Sequence, residues 1–145
     1  MKPRAAWPIL AKKAKEKCDQ AMAALVKGRE KIKSLEQSRS RMEALYADYL
    51  ARSIETEKKS LSMQETMNFR GFLQQIQTLI KRVEIDLQHA KFELDILKAN
   101  LLAAEKKRIQ METLQEQDER RIRDAAAKRE RREMDAMGVM LFNMK

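Results

Sequence analysis

The stretch FRGFLQQIQTLIKRVEIDLQHAKFELDILKANLLAAEKKRIQM, residues 69–111, decides the fold of this chain. Apolar side chains recur through it in alternating steps of three and four residues, a spacing typical of the seam of a coiled coil. One seam position is occupied by Leu73, Ile80, Leu87, Leu94 and Leu101, and the other by Phe69, Ile76, Val83, Ala90, Leu97, Ala104 and Met111. Charged and amide side chains fill the positions between them. The stretch therefore predicts a long helix that packs through one narrow stripe.

A second heptad tract lies nearer the N-terminus. Its seam positions are Trp7, Ala11, Ala14, Cys18, Ala21, Leu25, Gly28, Ile32, Leu35, Arg39, Met42, Tyr46 and Tyr49. No proline follows Pro8, and the 145 residues include only three glycines. Because proline and glycine are the residues that stop helices, the chain is expected to be all-α and built from very long helices.

The two tracts are out of frame with each other, and residues 53–66 carry no clean seam. Within that interval, the spacing of Ser62 and Glu65 is that of a capping box, in which a serine hydroxyl and a glutamate satisfy the first amides of a helix. A turn between the tracts is therefore expected. The predicted bounds are helix one at about 9–57, the turn at about 58–62 and helix two at about 63–137.

A turn at this place folds the chain into a single domain, an antiparallel coiled-coil hairpin with residue 7 opposite about residue 115. The second seam weakens beyond that point, where its positions are Gln115, Asp118, Ile122, Ala125 and Arg129. The C-terminal helix is therefore expected to overhang the first helix by its last ~20 residues, at about 1.5 Å of rise per residue. One long parallel coiled-coil dimer is the alternative that the frame break disfavours, and a dimer of hairpins stays open.

The net charge of +9 is distributed unevenly. Residues 1–33 carry +7, residues 34–118 carry −1, residues 119–133 carry +3, and the last twelve residues balance at zero. The basic stretch 119–133 is interpreted either as a solvated helix with ion pairs one turn apart or as a nucleic-acid-binding region. A nucleic-acid interface is disfavoured, because in basic zipper proteins the basic region precedes the zipper, and here it follows.

Nothing in the sequence indicates catalysis. Neither a phosphate-binding loop nor a dinucleotide-binding glycine motif is present. His89 and Cys18 are the only histidine and the only cysteine, so the clustered ligands of a metal site are missing. No run of apolar residues approaches the roughly 18 needed to span a bilayer. We therefore expect a protein that is not an enzyme and that binds no cofactor, metal or small-molecule substrate.

Three segments resemble the central-stalk proteins of bacterial flagellar and type III secretion export, the FliJ/YscO family. Residues 44–49 (ALYADY) resemble the aromatic end of that family's first helix. Leu61-Ser62 followed by residues 67–76 (MNFRGFLQQI) resembles its entry into helix two. Residues 104–108 (AEKKR) and 131–135 (RREMD) resemble its charged C-terminal helix.

The resemblance implies a long α-helical hairpin similar to the rotor stalk of rotary ATPases. It implies that the chain inserts into a hexameric export ATPase and couples it to a membrane export gate protein. It leaves contact with export chaperones open as a third role. The expected location is the cytoplasm, peripheral to the export apparatus of the inner membrane, and the flagellar branch is favoured over the injectisome branch. A cytosolic coiled-coil tether or scaffold is the rival function, and a nucleic-acid-binding coiled coil is a weaker one.

Two groups of site residues follow from this resemblance. Near the turn, Tyr49, Phe72 and Ile76 are expected to face the export gate, although Tyr49 and Ile76 are also seam positions and could serve packing alone. In the overhanging helix, expected to lack an internal partner over residues 116–137, an Arg- and Met-bearing surface is expected to contact the ATPase. Its residues are Arg121, Arg129, Arg132, Met134 and Met137.

Overall fold

The computed structural model describes residues 6–58 and 62–144 of the chain. These residues form two helices, α1 (Ala6–Lys58) and α2 (Met63–Asn143). No strand occurs among the described residues, and the predicted all-α fold of two long helices is confirmed.

The helices extend further than the sequence suggested at both ends of the chain. α1 begins at Ala6 and includes Pro8, because in the first turn a residue needs no amide hydrogen for the helical ladder. α2 continues through Gly138, since a single glycine costs a helix only about 1 kcal/mol relative to alanine. Of the predicted turn at 58–62, residues 59–61 lie outside the described residues.

Ser62 precedes α2 and caps it. The backbone amide of Glu65 donates to the Ser62 hydroxyl oxygen at 3.3 Å, and the amide of Thr66 donates to the Ser62 carbonyl, also at 3.3 Å. The serine half of the predicted capping box is thereby confirmed. A hydroxyl in this position satisfies one of the first four amides of a helix, which have no partner within it.

The chain divides into two compact units, one of which is Met22–Ala99. Within it, α1 and α2 run antiparallel. The Gln77 side-chain amide donates to the Tyr46 hydroxyl at 3.0 Å, and Lys31 Nζ lies 3.7 Å from Glu93 Oε2. A later residue of α1 thus meets an earlier residue of α2. The buried apolar residues of this unit all occupy predicted seam positions: Leu25, Leu73, Ile76, Val83, Leu87 and Ala90.

The other unit combines Met1–Ala21 with Asn100–Lys145. Its core consists of Ala11, Ala14 and Met111, with Trp7 and Leu114 packed against it. The small alanines of α1 allow close approach, and the larger side chains of the cluster fill the remaining space. The expected alignment of residue 7 with about residue 115 agrees with this packing.

Burial on the α2 seam continues further than expected. Asp118 is buried, and Ile122 and Ala125 are half-buried, so the expectation that residues 116–137 lack an internal partner is wrong for their first part. Every residue from Lys128 to Met144 is exposed. The overhang is real, and it is confined to this segment, which we call the C-terminal extension.

A search for membrane-spanning segments over the described parts of both helices found none that is long and apolar enough.

Candidate functional site

Three aromatic rings gather near the start of α2. The ring centroids of Tyr49 and Phe72 are 4.5 Å apart at an interplanar angle of 42°, and those of Tyr49 and Phe69 are 6.4 Å apart at 57°. Both geometries fall in the range that aromatic pairs favour. The Arg52 guanidinium lies 5.7 Å from the Tyr49 ring centroid, within reach of a cation–π interaction. Tyr49 therefore contacts both phenylalanine rings, and we call the three rings the aromatic cluster.

The aromatic cluster borders a shallow surface groove. Its lining includes the three rings together with Glu65 and Asn68. Phe72 keeps 39 % of its surface exposed, so an apolar face with polar groups at its edge is open to a partner. Such a combination of apolar walls and a few polar groups is typical of binding sites.

The three residues predicted to face the export gate are not equally accessible to a partner. Tyr49 and Phe72 meet in the aromatic cluster, whereas Ile76 is only 2 % exposed and belongs to the hairpin core. Ile76 therefore supports the site from below and does not present itself to a partner. Phe69 and Asn68 were not predicted as site residues, because the heptad spacing assigned Phe69 to packing and gave no role to Asn68.

The residues predicted to contact the ATPase lie on two sides of α2. At about 100° of rotation per residue, Arg121, Arg129 and Arg132 fall within an arc of about 80°. Met134 and Met137 fall on the opposite side. Arg129 and Arg132 continue the line of seam positions. Earlier in α2 this helix face packs on α1. On the C-terminal extension it carries these arginines, and we call it the arginine face.

Arg121 differs from the other two arginines because it is already engaged. Its guanidinium forms an ion pair with the carboxylate of the buried Asp118. Arg120 pairs with Glu116 at 3.3 Å in the same region. Arg129 and Arg132, in contrast, lie in the fully exposed extension. Of the predicted arginines, these two are the better placed to meet an acidic partner.

The methionine side of the extension continues beyond the two methionines predicted to contact the ATPase. Met134 and Met137 are followed by Leu141 and Met144 in steps of three, four and three residues, and all four are strongly exposed. We call these four residues the methionine stripe. Unbranched methionine side chains adapt to irregular apolar surfaces.

One polar cluster interrupts the apolar seam. Arg108 occupies a seam position and donates to the Glu112 carboxylate at 3.0 Å. The hydrogen bond to Glu112, and then that to the Cys18 thiol, raise the pKa of the Arg108 guanidinium above its ordinary value. Cys18 is half-buried, as its seam position predicted. The cluster supplies hydrogen-bond partners for the charged Arg108 side chain within the helix pair. We therefore assign it a structural role.

Among the described residues, no group of three or more His, Cys, Asp or Glu side chains is arranged to hold a metal ion. His89 is exposed on α2. The exposed surfaces that carry the predicted site residues are the aromatic cluster and the C-terminal extension, and both are suited to binding other proteins.

Comparison with protein-family models matched residues 9–145 to the family described as the flagellar FliJ protein. Comparisons with curated proteins and with solved structures gave no match.

Proposed function

Because this chain belongs to the flagellar FliJ protein family, it is a protein associated with flagellar export, and we propose that it acts as the central stalk of the export ATPase. The family is structural and not catalytic. In this proposal the chain inserts into the ATPase hexamer at one end and contacts the membrane export gate at the other.

The observation that carries the proposal is the C-terminal extension, in which residues 128–143 are helical and exposed throughout. Isolated helices of this length are marginal in water, and exposed apolar side chains add to the cost. A partner that covers the segment would stabilise it. The arginine face supports an acidic contact, and the methionine stripe supports an apolar one. The interior of a protein ring can contact both sides of a helix at once. It therefore suits the arginine face and the methionine stripe better than a flat partner that contacts one side.

The aromatic cluster supports the second half of the proposal. Tyr49 and Phe72 are held in place by each other, so little side-chain freedom is lost when a partner binds them. Aromatic residues in such positions often supply most of the binding energy of an interface. We assign the contact with the export gate to Tyr49 and Phe72, with Phe69 as their neighbour.

The ATPase contact is tested by truncation after Ala127, because residues 128–144 are all exposed. The truncated protein is expected to remain helical and to lose stimulation of the purified export ATPase. In the full chain, the double substitution R129E/R132E should have the same effect. The control K33E/R41E changes the net charge equally on an exposed part of α1 and should stimulate normally. Full stimulation by the truncated protein would overturn the assignment.

The gate contact is tested by measuring the affinity of the Phe72→Ala variant for the purified cytoplasmic part of the export gate. We expect a loss of about tenfold or more, the size found for a central aromatic residue of an interface. Leu102→Ala is the matched control, because Leu102 is an exposed apolar residue elsewhere on α2. Equal affinity of both variants and the wild type would exclude the aromatic cluster. Binding of both partners without any change in ATPase rate would indicate a tether instead of a stalk.

A further inference from the structure

A stripe of apolar residues follows the outer face of α2 within the unit Met22–Ala99. Ile85, Phe92 and Ile96 are spaced by seven and four residues, which places them on one side of a helix together with His89. They lie away from the hairpin seam and are all exposed, Phe92 to 68 %. Outer positions of a two-helix coiled coil are ordinarily polar. This outer stripe therefore has the character of a third contact face.

Acidic side chains lie along both edges of the outer stripe. Residues 84–96 contain four acids and a single lysine, in a chain whose net charge is +9. By helical rotation, Asp86 and Glu93 fall on one edge, and Glu84 and Asp95 on the other. A complementary partner is thus a helix with an apolar stripe and basic residues on its edges.

The C-terminal extension of the same chain has this chemistry. The methionine stripe supplies the apolar face, and Arg129 and Arg131 fall on its two edges, five and three residues before Met134. Residues 128–132 hold four basic residues and one acid. Both surfaces are exposed.

We propose that the outer stripe of one molecule docks the methionine stripe of a second copy of this chain. The contact is head to tail, because two different surfaces meet, and such heterologous contacts can extend into open chains of molecules. Only a few helical turns take part, so the interface belongs to the small and weak class. We expect association at high protein concentration only. This proposal does not depend on the stalk function, although in such an assembly the methionine stripe would be covered.

The test is sedimentation velocity of the full chain over a wide range of concentration. The wild type is expected to grow in mass as concentration rises. Phe92→Glu disables the outer stripe, and Leu141→Glu disables the methionine stripe. Each is expected to weaken self-association by about tenfold or more, since each places a charge in an apolar contact. Both residues are exposed, so circular dichroism should show wild-type helicity. Gln75→Glu, at an exposed position off the outer stripe, is the control and should associate like the wild type.

Mixing the two disabled variants provides the decisive measurement. Each retains the surface that the other has lost, so an equal mixture should form a dimer that grows no further. A wild type that stays monomeric at every concentration would overturn the proposal. So would a mixture that fails to pair, or undiminished association of either variant alone, because a symmetric contact would then use one surface twice.

Discussion

A Cβ atom placed on Gly28 would lie 2.9 Å from Cδ1 of Leu97 and 3.3 Å from Cδ1 of Leu94. The backbone of α1 thus approaches the leucines of α2 so closely that only a hydrogen atom fits between them. In this position glycine serves close packing between helices, although it weakens the helix itself by about 1 kcal/mol relative to alanine.

We predict that Gly28→Leu destabilises the protein by about 1–3 kcal/mol, the cost of overpacking a closely packed contact. Urea denaturation followed by circular dichroism would measure it. Leu97→Ala in the same chain should recover part of the loss, because it removes the side chain that the introduced leucine would strike. Wild-type stability of the single variant would mean that the helices separate at this point without cost.

The aromatic cluster and the core beneath it should respond differently to truncation. Ile76→Ala is predicted to cost about 2–5 kcal/mol, because it opens a cavity in a buried seam. Phe72→Ala should cost only about 0.5–1.5 kcal/mol, the contribution of an aromatic pair beyond area burial. The buried part of the Phe72 side chain adds a further small loss. Chemical denaturation of both variants provides the comparison. Equal losses would show that Phe72 is a core residue and would weaken its assignment to the export gate.

Removal of the C-terminal extension should leave the rest of the chain unaffected. Residues 128–144 are exposed, and changes at such sites usually alter the free energy of unfolding by no more than about 0.5 kcal/mol. The truncated and full-length chains should therefore have the same denaturation midpoint. A marked drop after truncation would reveal packing of the extension against the hairpin.

The antiparallel pairing within the unit Met22–Ala99 predicts a short distance between spin labels placed at positions 31 and 93. The native side chains there, Lys31 and Glu93, approach to 3.7 Å. An unbroken helix would separate the positions by roughly 90 Å at ~1.5 Å per residue. Labelled protein diluted with unlabelled protein should retain the short distance. Its loss on dilution would point to pairing between chains, as in the parallel dimer.

The capping contact at the start of α2 is also open to measurement. Ser62→Ala removes the acceptor for the Glu65 amide and is predicted to cost about 1 kcal/mol. Ser62→Asp keeps an acceptor and adds favourable charge at a helix N-terminus, so its denaturation midpoint should be at least that of the wild type. Equal stability of the alanine variant would show that water replaces the hydroxyl fully.

The sequence by itself determined the helices and the faces through which they pack. The seam positions from Trp7 to Tyr49 and from Phe69 to Met111 are all buried or half-buried. Heptad spacing and the scarcity of proline and glycine are local properties, and they depend on no distant contact. The same reasoning predicted a hairpin with an overhanging C-terminal helix and placed Tyr49 and Phe72 near its turn. It overlooked the outer stripe on α2, since apolar residues outside the seam were not followed along the helix.

Only the tertiary structure decided which residues are free to meet a partner. Heptad spacing identifies a helix face, but it does not say how large a neighbouring side chain is or how far the partner helix extends. For this reason only the structure showed that Phe72 contacts Tyr49 and stays partly exposed, while Ile76, one turn further on, is buried. For the same reason the structure was needed to show that Asp118 is buried and that the fully exposed segment starts at Lys128.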